Sequence, residues 1–248
     1  MDAAKKGPSA ARRMDTKKMA ILAMMAALAY VVMLVGRVPI VLWLKYDPKD
    51  VVIAIAAFIY GPMAGVGISI VDSLIEMLTA SDTGIWGFIM NVLSTCSLVV
   101  PAALIYHRHH TIKGAVLGLI VGSVLCVAAM LLWNWLVTPF YMGQPREAVE
   151  ELLIPYFLPF NAFKASVNST LTVLLYKPVV TALRKAKLVP ESEHAAPPVA
   201  GKKRLGVYLA ALVVLAVIVI AAAVIIIRSG KKMRSDAEPP GPGRRKKK

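Results

Sequence analysis

The sequence predicts an all-α integral membrane protein: a bundle of six helices followed by one additional transmembrane helix near the C-terminus. Of the 248 residues, 58% are hydrophobic, and the mean hydropathy of +0.66 is far above that of an ordinary soluble domain. Only 17% are charged, yet the net charge is +15. The two values agree because the charges are segregated: 22 of the 29 lysines and arginines lie in residues 1–18, 177–204 and 228–248.

This basic excess in the tails and the linker indicates what the protein contacts. Basic segments that flank membrane helices mark the cytoplasmic side and contact anionic lipid. A nucleic-acid interface would instead need its charges on a folded surface. We therefore expect the lipid bilayer as a partner and no nucleic acid, although the chain ends in RRKKK.

Six apolar segments form the predicted bundle, which we assign to residues 17–187 after a disordered basic tail at 1–16. Glycine, proline or polar clusters separate the segments, as is usual between helices. Several segments are short for a hydrocarbon layer of about 30 Å, which favours a bundle around a cavity over simple anchors. The predicted helices span residues 19–36, 51–60, 63–78, 85–106, 115–137 and 159–176, and the predicted loops span residues 37–50, 79–84, 107–114 and 140–155.

The C-terminal part of the chain contains the strongest transmembrane signal. Residues 188–204 form a linker, and residues 205–227 are an uncharged run of 23 residues, long enough to span a bilayer. This run has none of the polar residues that occur in the earlier helices. We interpret it as an added anchor, followed by a disordered basic tail at 228–248.

Loop charges predict the orientation of the six helices. The side formed by the N-terminal tail and residues 107–113 and 177–187 carries 12 lysines and arginines, whereas the opposite side carries four against six acids. The positive-inside rule then predicts a multi-pass protein of the cell membrane with a cytoplasmic N-terminus. A seventh crossing would place the nine basic residues of 228–248 outside, against the rule, so the topology of the extension stays open.

A polar stripe interrupts the sixth predicted helix. Asn161, Lys164 and Asn168 are spaced i, i+3 and i+7, which places them on one helical face. A lysine inside a membrane costs about 2.5–3.5 kcal/mol on insertion scales and normally faces protein or water. Asn134 lies at the corresponding outer end of the fifth helix.

Two interpretations of this stripe remain open from the residues alone. An outward-facing cavity lined by amide and ammonium groups, with aromatic residues nearby, would suit a flat aromatic ligand with polar edges. Alternatively, the asparagines bond other helices and Lys164 extends to the outer interface.

Asp72 and Glu76 lie one helical turn apart in the third predicted helix. Paired acids could form a proton or cation site in a secondary transporter. They could also be partly solvated, because the next loop begins at Thr79. We favour the solvated interpretation.

Other reactive side chains give no sign of catalysis. His107, His109 and His110 lie in a basic segment without a neighbouring acid or cysteine, which is typical of a solvated loop. Cys96 and Cys126 lie within apolar runs and are expected to be small core residues. No nucleotide-binding, zinc-protease or hydrolase motif occurs. We predict that the protein is not an enzyme, has no metal site and uses no cofactor.

Small residues follow the first predicted helix at helical spacing. Ala23 and Ala27 are four residues apart, with Ala20, Ala26 and Ala29 alongside. Small residues at this spacing allow helices to approach closely in a membrane. They could pack within the bundle or dock a partner membrane protein.

Four stretches of the chain resemble the riboflavin-specific substrate-binding (S) component of energy-coupling factor (ECF) vitamin transporters. The most specific is LPFNAFKASVNSTLTVLLYK, which resembles the sixth helix of that family. The others are WLKYDPKDVVIAIAAFIYGPMAGV, TASDTGIWGFIMN and WNWLVTPFY. The resemblance covers residues from about 15 to 187, and the helix at 205–227 has no counterpart in it.

The resemblance implies a six-helix S-component bundle that holds one riboflavin, the transported substrate, in an outward-facing pocket. Asn134, Asn161 and Lys164 would be polar ligands to the vitamin. A loop around Leu44 and Lys45 would cap the pocket, and Asn91 is a weaker candidate. Import would require a transmembrane coupling (T) component, docked on Ala23 and Ala27, and two cytoplasmic ATPase subunits. The S component would topple in the membrane to release the vitamin.

Three functional hypotheses follow. The first is this riboflavin-binding S component, which should bind tightly without ATP and need its partner subunits for transport. The second is a solitary ion-coupled carrier that uses Asp72 and Glu76. The third is a membrane scaffold that binds no small ligand.

Overall fold

The computed structural model describes residues 16–41, 44–186 and 189 as a mostly helical protein. Four of the described helices are long and apolar enough to cross a membrane, namely Thr16–Gly36, Pro62–Thr79, Gly84–His109 and Ile112–Met142. The helices are α1 (Thr16–Gly36), α2 (Lys49–Tyr60), α3 (Pro62–Thr79), α4 (Gly84–His109), α5 (Ile112–Met142), α6 (Arg146–Leu152) and α7 (Leu158–Lys185), with strands β1 (Val38–Val41) and β2 (Leu44–Tyr46) between α1 and α2, and a π-helical turn, Leu153–Phe157, before α7.

The short helix α2 lies at the centre of the bundle. Every residue from 49 to 58 is buried, and α1, α3, α4 and α7 all pack against this helix. Its end is set by Gly61, whose φ of 100° is accessible to glycine and strained for other residues. Pro62 then starts α3, where the missing N–H has no helical partner to lose.

Helices α4 and α5 pack closely against each other, and glycine makes this contact possible. A Cβ atom on Gly118 would lie 2.6 Å from the carbonyl oxygen of Ala102, and one on Gly122 would overlap the carbonyl oxygen of Leu98. Only a residue without a side chain allows the two backbones to approach this closely. The connection between the two helices is also short, since α4 ends at His109 and α5 begins at Ile112. Thr111 caps α5 by accepting a hydrogen bond from the backbone N–H of Gly114 at 3.0 Å.

Each of the six predicted bundle helices overlaps a helix of the described residues, but three of the predicted loops differ from the structure. Residues 107–114 lie mostly within α4 and α5, and His107, expected in a solvated loop, is a half-buried helical residue whose Nε2 lies 3.1 Å from the carbonyl oxygen of Ala57. Residues 37–50 contain an antiparallel hairpin that pairs Val38 with Tyr46, so the described part of the chain is not purely α-helical. Residues 140–155 are mostly helical, since α5 continues to Met142 and is followed by α6 and the π-helical turn.

Helices α5 and α7 extend beyond the apolar segments from which they were predicted. Pro139 and Pro178 lie inside α5 and α7 instead of ending them, because neighbouring groups in a membrane bundle can satisfy the carbonyl that a proline leaves free. In α6, the sequence REAVEEL has strong helix formers. Its charge made it resemble a loop. Cation–π contact of Arg146 with the Trp135 ring, at 5.0 Å, helps to hold α6 against α5.

The additional helix predicted at 205–227, its linker and both terminal tails lie outside the described residues. Their boundaries stay predictions.

Candidate functional site

One cavity brings together every residue that the sequence suggested as a ligand contact. It is bordered by the hairpin and by the adjoining ends of α3, α4, α5 and α7. Its lining includes Leu44, Lys45, Asn91, Asn134, Asn161 and Lys164. Apolar and aromatic surface comes from Met90, Met130, Tyr141 and Phe160. Asn168, the third member of the polar stripe, is fully buried and does not line the cavity.

The two asparagines at the cavity are oriented by bonds within their own helices. Asn134 donates from Nδ2 to the carbonyl oxygen of Met130 at 2.7 Å and accepts from Thr138 at 3.0 Å. Asn161 donates from Nδ2 to the carbonyl oxygen of Phe157 at 2.8 Å. An amide nitrogen carries two N–H groups, so each side chain is fixed in direction and retains a donor. This pair does not bond other helices, which was one of the two interpretations of the stripe.

Asn168 and Lys164 both lie on α7, but they make different contacts. Asn168 bonds another helix: its Nδ2 donates to Asp50 Oδ2 in α2 at 3.1 Å. Lys164 does not extend to the outer interface. Its ammonium lies 3.6 Å from Asp47 and 3.9 Å from Asp50, and the side chain is 12% exposed. The charge is therefore neutralised beside the cavity instead of in water.

Of the two carboxylates beside Lys164, Asp47 and Asp50, only Asp47 lines the cavity. It lies between β2 and α2, in the connection outside the spanning helices. Burial alone would raise its pKa, but the nearby charges of Lys164, Lys49 and Arg37 outweigh burial and hold the pKa of the Asp47 carboxyl below its ordinary value. Asp47 is thus ionised at neutral pH and attracts the Lys164 ammonium.

A buried ion cluster lies directly beside the cavity and corrects one expectation. Asp72 and Glu76 are buried, not partly solvated. Lys49 lies 3.0 Å from Asp72 and 2.5 Å from Glu76, and Arg37 pairs with Glu76. The sequence assigned Lys49 and Arg37 to an outer loop, whereas the fold places Lys49 at the first turn of the central helix with no exposed surface.

Asn91 belongs to this cluster. Its Nδ2 donates to Glu76 Oε2 at 2.8 Å, so its first role is to satisfy a buried carboxylate, although its side chain also borders the cavity. Glu76 is therefore compensated by two cations and an amide. A carboxylate held in this way is poorly suited to carry a proton or an ion through a solitary carrier.

The hairpin borders the cavity, and side-chain contacts attach it to the bundle. Leu44 and Lys45 line the cavity from β2, and Lys45 bonds Asp82 in the α3–α4 loop at 2.6 Å. Deeper in, the Tyr46 hydroxyl donates to Asn168 Oδ1 at 2.9 Å, and the Tyr46 ring meets Phe163 edge-on. Burial, with the charges of Asp47 and Asp50, raises the pKa of Tyr46, so its hydroxyl remains a donor.

The cavity also has charged lining residues that sequence reasoning missed: Arg37, Asp47, Glu76 and Asp82. Each was placed in a loop or near a loop end, where a charge is usually solvated. One signal was available. Arg37, Lys45, Asp47, Lys49 and Asp50 all occur within a 14-residue connection between two apolar helices, more charge than a short outer loop requires.

Ala23 and Ala27 lie on the outward face of α1 and are exposed, whereas Ala26 and Ala29 face the core. Packing within the bundle therefore accounts for the second pair and not for the first.

Comparison with known proteins decides the family. The sequence model of the family described as "ECF transporter, substrate-specific component" matches residues 17–176, well over half of the chain. The chain belongs to this family. It is thus a membrane transport component, as the resemblance predicted, and the match ends before the additional helix predicted at 205–227.

Relatives of this S component include proteins named as riboflavin transporters. The riboflavin transporter FmnP of Bacillus subtilis (strain 168) is 26% identical over 191 residues, which are 71% of this chain and 100% of FmnP. The riboflavin transporter RibU of Staphylococcus aureus (strain TCH60) is 25% identical over 180 residues, 69% of this chain and 94% of RibU.

A solved structure of the S component of a bacterial ECF transporter has the same fold. Its TM-score with this chain is 0.60 at 26% identity, and the superposition covers 69% of this chain and 99% of that chain. Its agreement with the bundle supports the S-component fold. These relatives are transporters and not enzymes, in line with the prediction of a non-enzymatic role.

Proposed function

We propose that this S component is the high-affinity riboflavin-binding subunit of an ECF importer. It captures the vitamin outside the cell and delivers it together with a T component and two ATPase subunits. The observation that carries this proposal is the convergence of Leu44, Lys45, Asn134, Asn161 and Lys164 on one cavity, in a chain whose relatives are riboflavin transporters.

The cavity chemistry matches a flavin. The isoalloxazine ring is flat, with an edge of alternating carbonyl and N–H groups, and the ribityl chain carries hydroxyls. Asn134 and Asn161 present donor and acceptor atoms in fixed directions, which suits such an edge. Phe160 and the methionines supply burial, and Tyr141 adds an aromatic surface. Lys164 provides a donor for a carbonyl or hydroxyl oxygen.

The proposed orientation places the N-terminus in the cytoplasm and the hairpin outside. Loop charges support it, since the hairpin side carries few basic residues and several acids. The exposed pair Ala23 and Ala27 on α1 would then dock the T component within the membrane.

The test is a riboflavin titration of the full-length protein purified in detergent, monitored by flavin fluorescence, after recording the absorbance spectrum. We expect copurified flavin or stoichiometric quenching at nanomolar riboflavin. Lys164→Ala should weaken binding about tenfold or more, the magnitude of a lost charged hydrogen bond, with a smaller effect on the unfolding temperature. Lys113→Ala, at an exposed lysine near the start of α5, is the matched control and should bind like wild type.

Two results would count against the proposal. A colourless protein that quenches no riboflavin removes the vitamin assignment. Wild-type affinity in Lys164→Ala, with normal binding otherwise, removes Lys164 from the site.

A further inference from the structure

Asp50 is a buried carboxylate that does not line the cavity, although it lies beside Lys164, which does line it. Asp50 is the second residue of the central helix α2 and is 2% exposed. Thr95 of α4 donates to Asp50 Oδ1 at 2.6 Å, and Asn168 of α7 donates to Oδ2 at 3.1 Å. Two hydrogen bonds from two different helices therefore fix the carboxylate in direction and position.

The same carboxylate faces the Lys164 ammonium. Lys164 Nζ lies 3.9 Å from Asp50 Oδ2 and 3.6 Å from Asp47 Oδ2. Both distances exceed those of a direct hydrogen bond. The two carboxylates thus neutralise the ammonium without using its N–H groups in direct bonds, and an ammonium has three donors. A lysine held between two anions in this way can turn its donors toward a ligand in the cavity.

Asn168 also connects Asp50 to the hairpin. While its Nδ2 donates to Asp50, its Oδ1 accepts from the Tyr46 hydroxyl of β2 at 2.9 Å. A continuous chain of contacts therefore runs from the hairpin through Asn168 to Asp50 and Lys164. The hairpin that borders the cavity thus also supports, through Asn168, the carboxylate beside the cavity lysine.

We propose that Asp50 is a positioning residue for substrate binding: it holds the Lys164 ammonium at the cavity wall, and Asn168 links that position to the hairpin that borders the cavity. This inference rests on the proposed riboflavin-binding function. Without the Asp50 charge, the ammonium moves toward Asp47, the remaining carboxylate, and closes a direct pair with it. Its donors then no longer point to the ligand.

The experiment is a double-mutant cycle on the full-length protein, with riboflavin as the probe. Asp50→Asn keeps the shape of the side chain and an acceptor for Thr95, but it removes the charge and places an amide N–H opposite the Asn168 Nδ2 donor. We expect it to weaken riboflavin binding about tenfold in the wild-type background. In the Lys164→Ala background the same substitution should change affinity less than about twofold, because the group through which Asp50 acts is absent.

Matched controls separate positioning from a general effect on folding. Asp72→Asn removes another fully buried carboxylate, which contacts Lys49 and does not line the cavity, and it should leave affinity close to wild type. If Asp50→Asn does not fold, Thr95→Val replaces it in the cycle. That variant loosens Asp50 without touching the cavity or Lys164, and a smaller loss that also vanishes with Lys164→Ala is expected.

The outcomes are distinguishable. Wild-type affinity in Asp50→Asn, or an equal loss in both backgrounds, overturns the positioning role while the riboflavin assignment stands. Failure of the wild-type protein to bind riboflavin overturns the proposed function and this inference together.

Discussion

Single residues set the charge of the cavity, and Lys164 illustrates how. A lysine within a membrane bundle is tolerated when protein groups replace the water that it loses. Here Asp50, at the start of the central helix, and Asp47, just before that helix, compensate the ammonium in place of water. The spacing of Asn161, Lys164 and Asn168 correctly predicted a shared helical face. It could not predict that Asn168 would turn to Asp50, because that carboxylate is 118 residues away in the chain.

The pH dependence of stability tests the Asp47 contact. Its pKa is lower in the folded protein than in the unfolded chain, where an aspartate has a pKa of about 3.9. Its stabilising effect is therefore fully present above about pH 4, and it declines as the pH falls through the lower, folded-state pKa. We expect Asp47→Asn to lower the free energy of unfolding by about 3 kcal/mol at neutral pH, the low end for a buried ion pair that loses one partner, because Asp50 still compensates Lys164.

The measurement is the unfolding temperature of wild type and Asp47→Asn between pH 7 and 3. The difference should be constant down to about pH 5 and become smaller below about pH 4. A difference that increases toward acid pH would contradict an ionised Asp47 in the folded protein.

Elements that carry charge were the hardest to predict. The hairpin and α6 were both assigned to loops, because polar residues between apolar helices usually mark a connection. In the hairpin, β1 pairs with β2, and the hydrogen bond from the Tyr46 hydroxyl to Asn168 attaches β2 to α7. The long apolar helices were predicted correctly, because their hydropathy is a local property of each segment.

Glycine at the α4–α5 contact gives a prediction at this scale. Gly122 faces the Leu98 carbonyl oxygen without space for a Cβ atom, whereas nothing lies within 4 Å of the corresponding position at Gly67 in α3. Alanine is the better helix former by about 1 kcal/mol at either site. We expect Gly122→Ala to destabilise the protein by about 1–3 kcal/mol through overpacking, and Gly67→Ala to be neutral or slightly stabilising.

Thermal unfolding in detergent, compared at one pH, measures both glycine variants. Equal effects of the two substitutions would show that helix propensity, and not the close α4–α5 approach, determines the result.

At the scale of the whole molecule, the cavity and the outward face of α1 are separate surfaces. The hairpin and four helices line the cavity, whereas Ala23 and Ala27 lie on the exposed side of α1 and do not line it. Binding and partner docking should therefore respond to different substitutions. This separation is expected of a subunit that captures its substrate alone and depends on other subunits for import.

The double variant Ala23→Leu/Ala27→Leu tests this separation. We expect riboflavin affinity in detergent within about twofold of wild type, because no cavity residue changes, and a loss of riboflavin uptake by cells that also express the T component and ATPase subunits, because bulky side chains prevent close helix approach. Ala128→Leu, at an exposed alanine of α5, is the control and should support uptake. Full uptake by the double variant would exclude this face of α1 as the docking surface.

From the chain alone we predicted the membrane class, the long apolar helices and, at the cavity, Asn134, Asn161 and Lys164. The charged lining residues Arg37, Asp47, Glu76 and Asp82 were missed. Hydropathy and helical spacing are local, so a single chain displays them, and the resemblance to S components added Leu44, Lys45 and Asn91. Only the tertiary structure decided how the charges are compensated. Lys49 meets Asp72 and Glu76, and Asp50 meets Lys164, across separations that no local pattern encodes. Charges that resemble solvated loop residues become buried partners once the fold brings opposite signs together, because an ion pair depends on distance in space and not on distance along the chain.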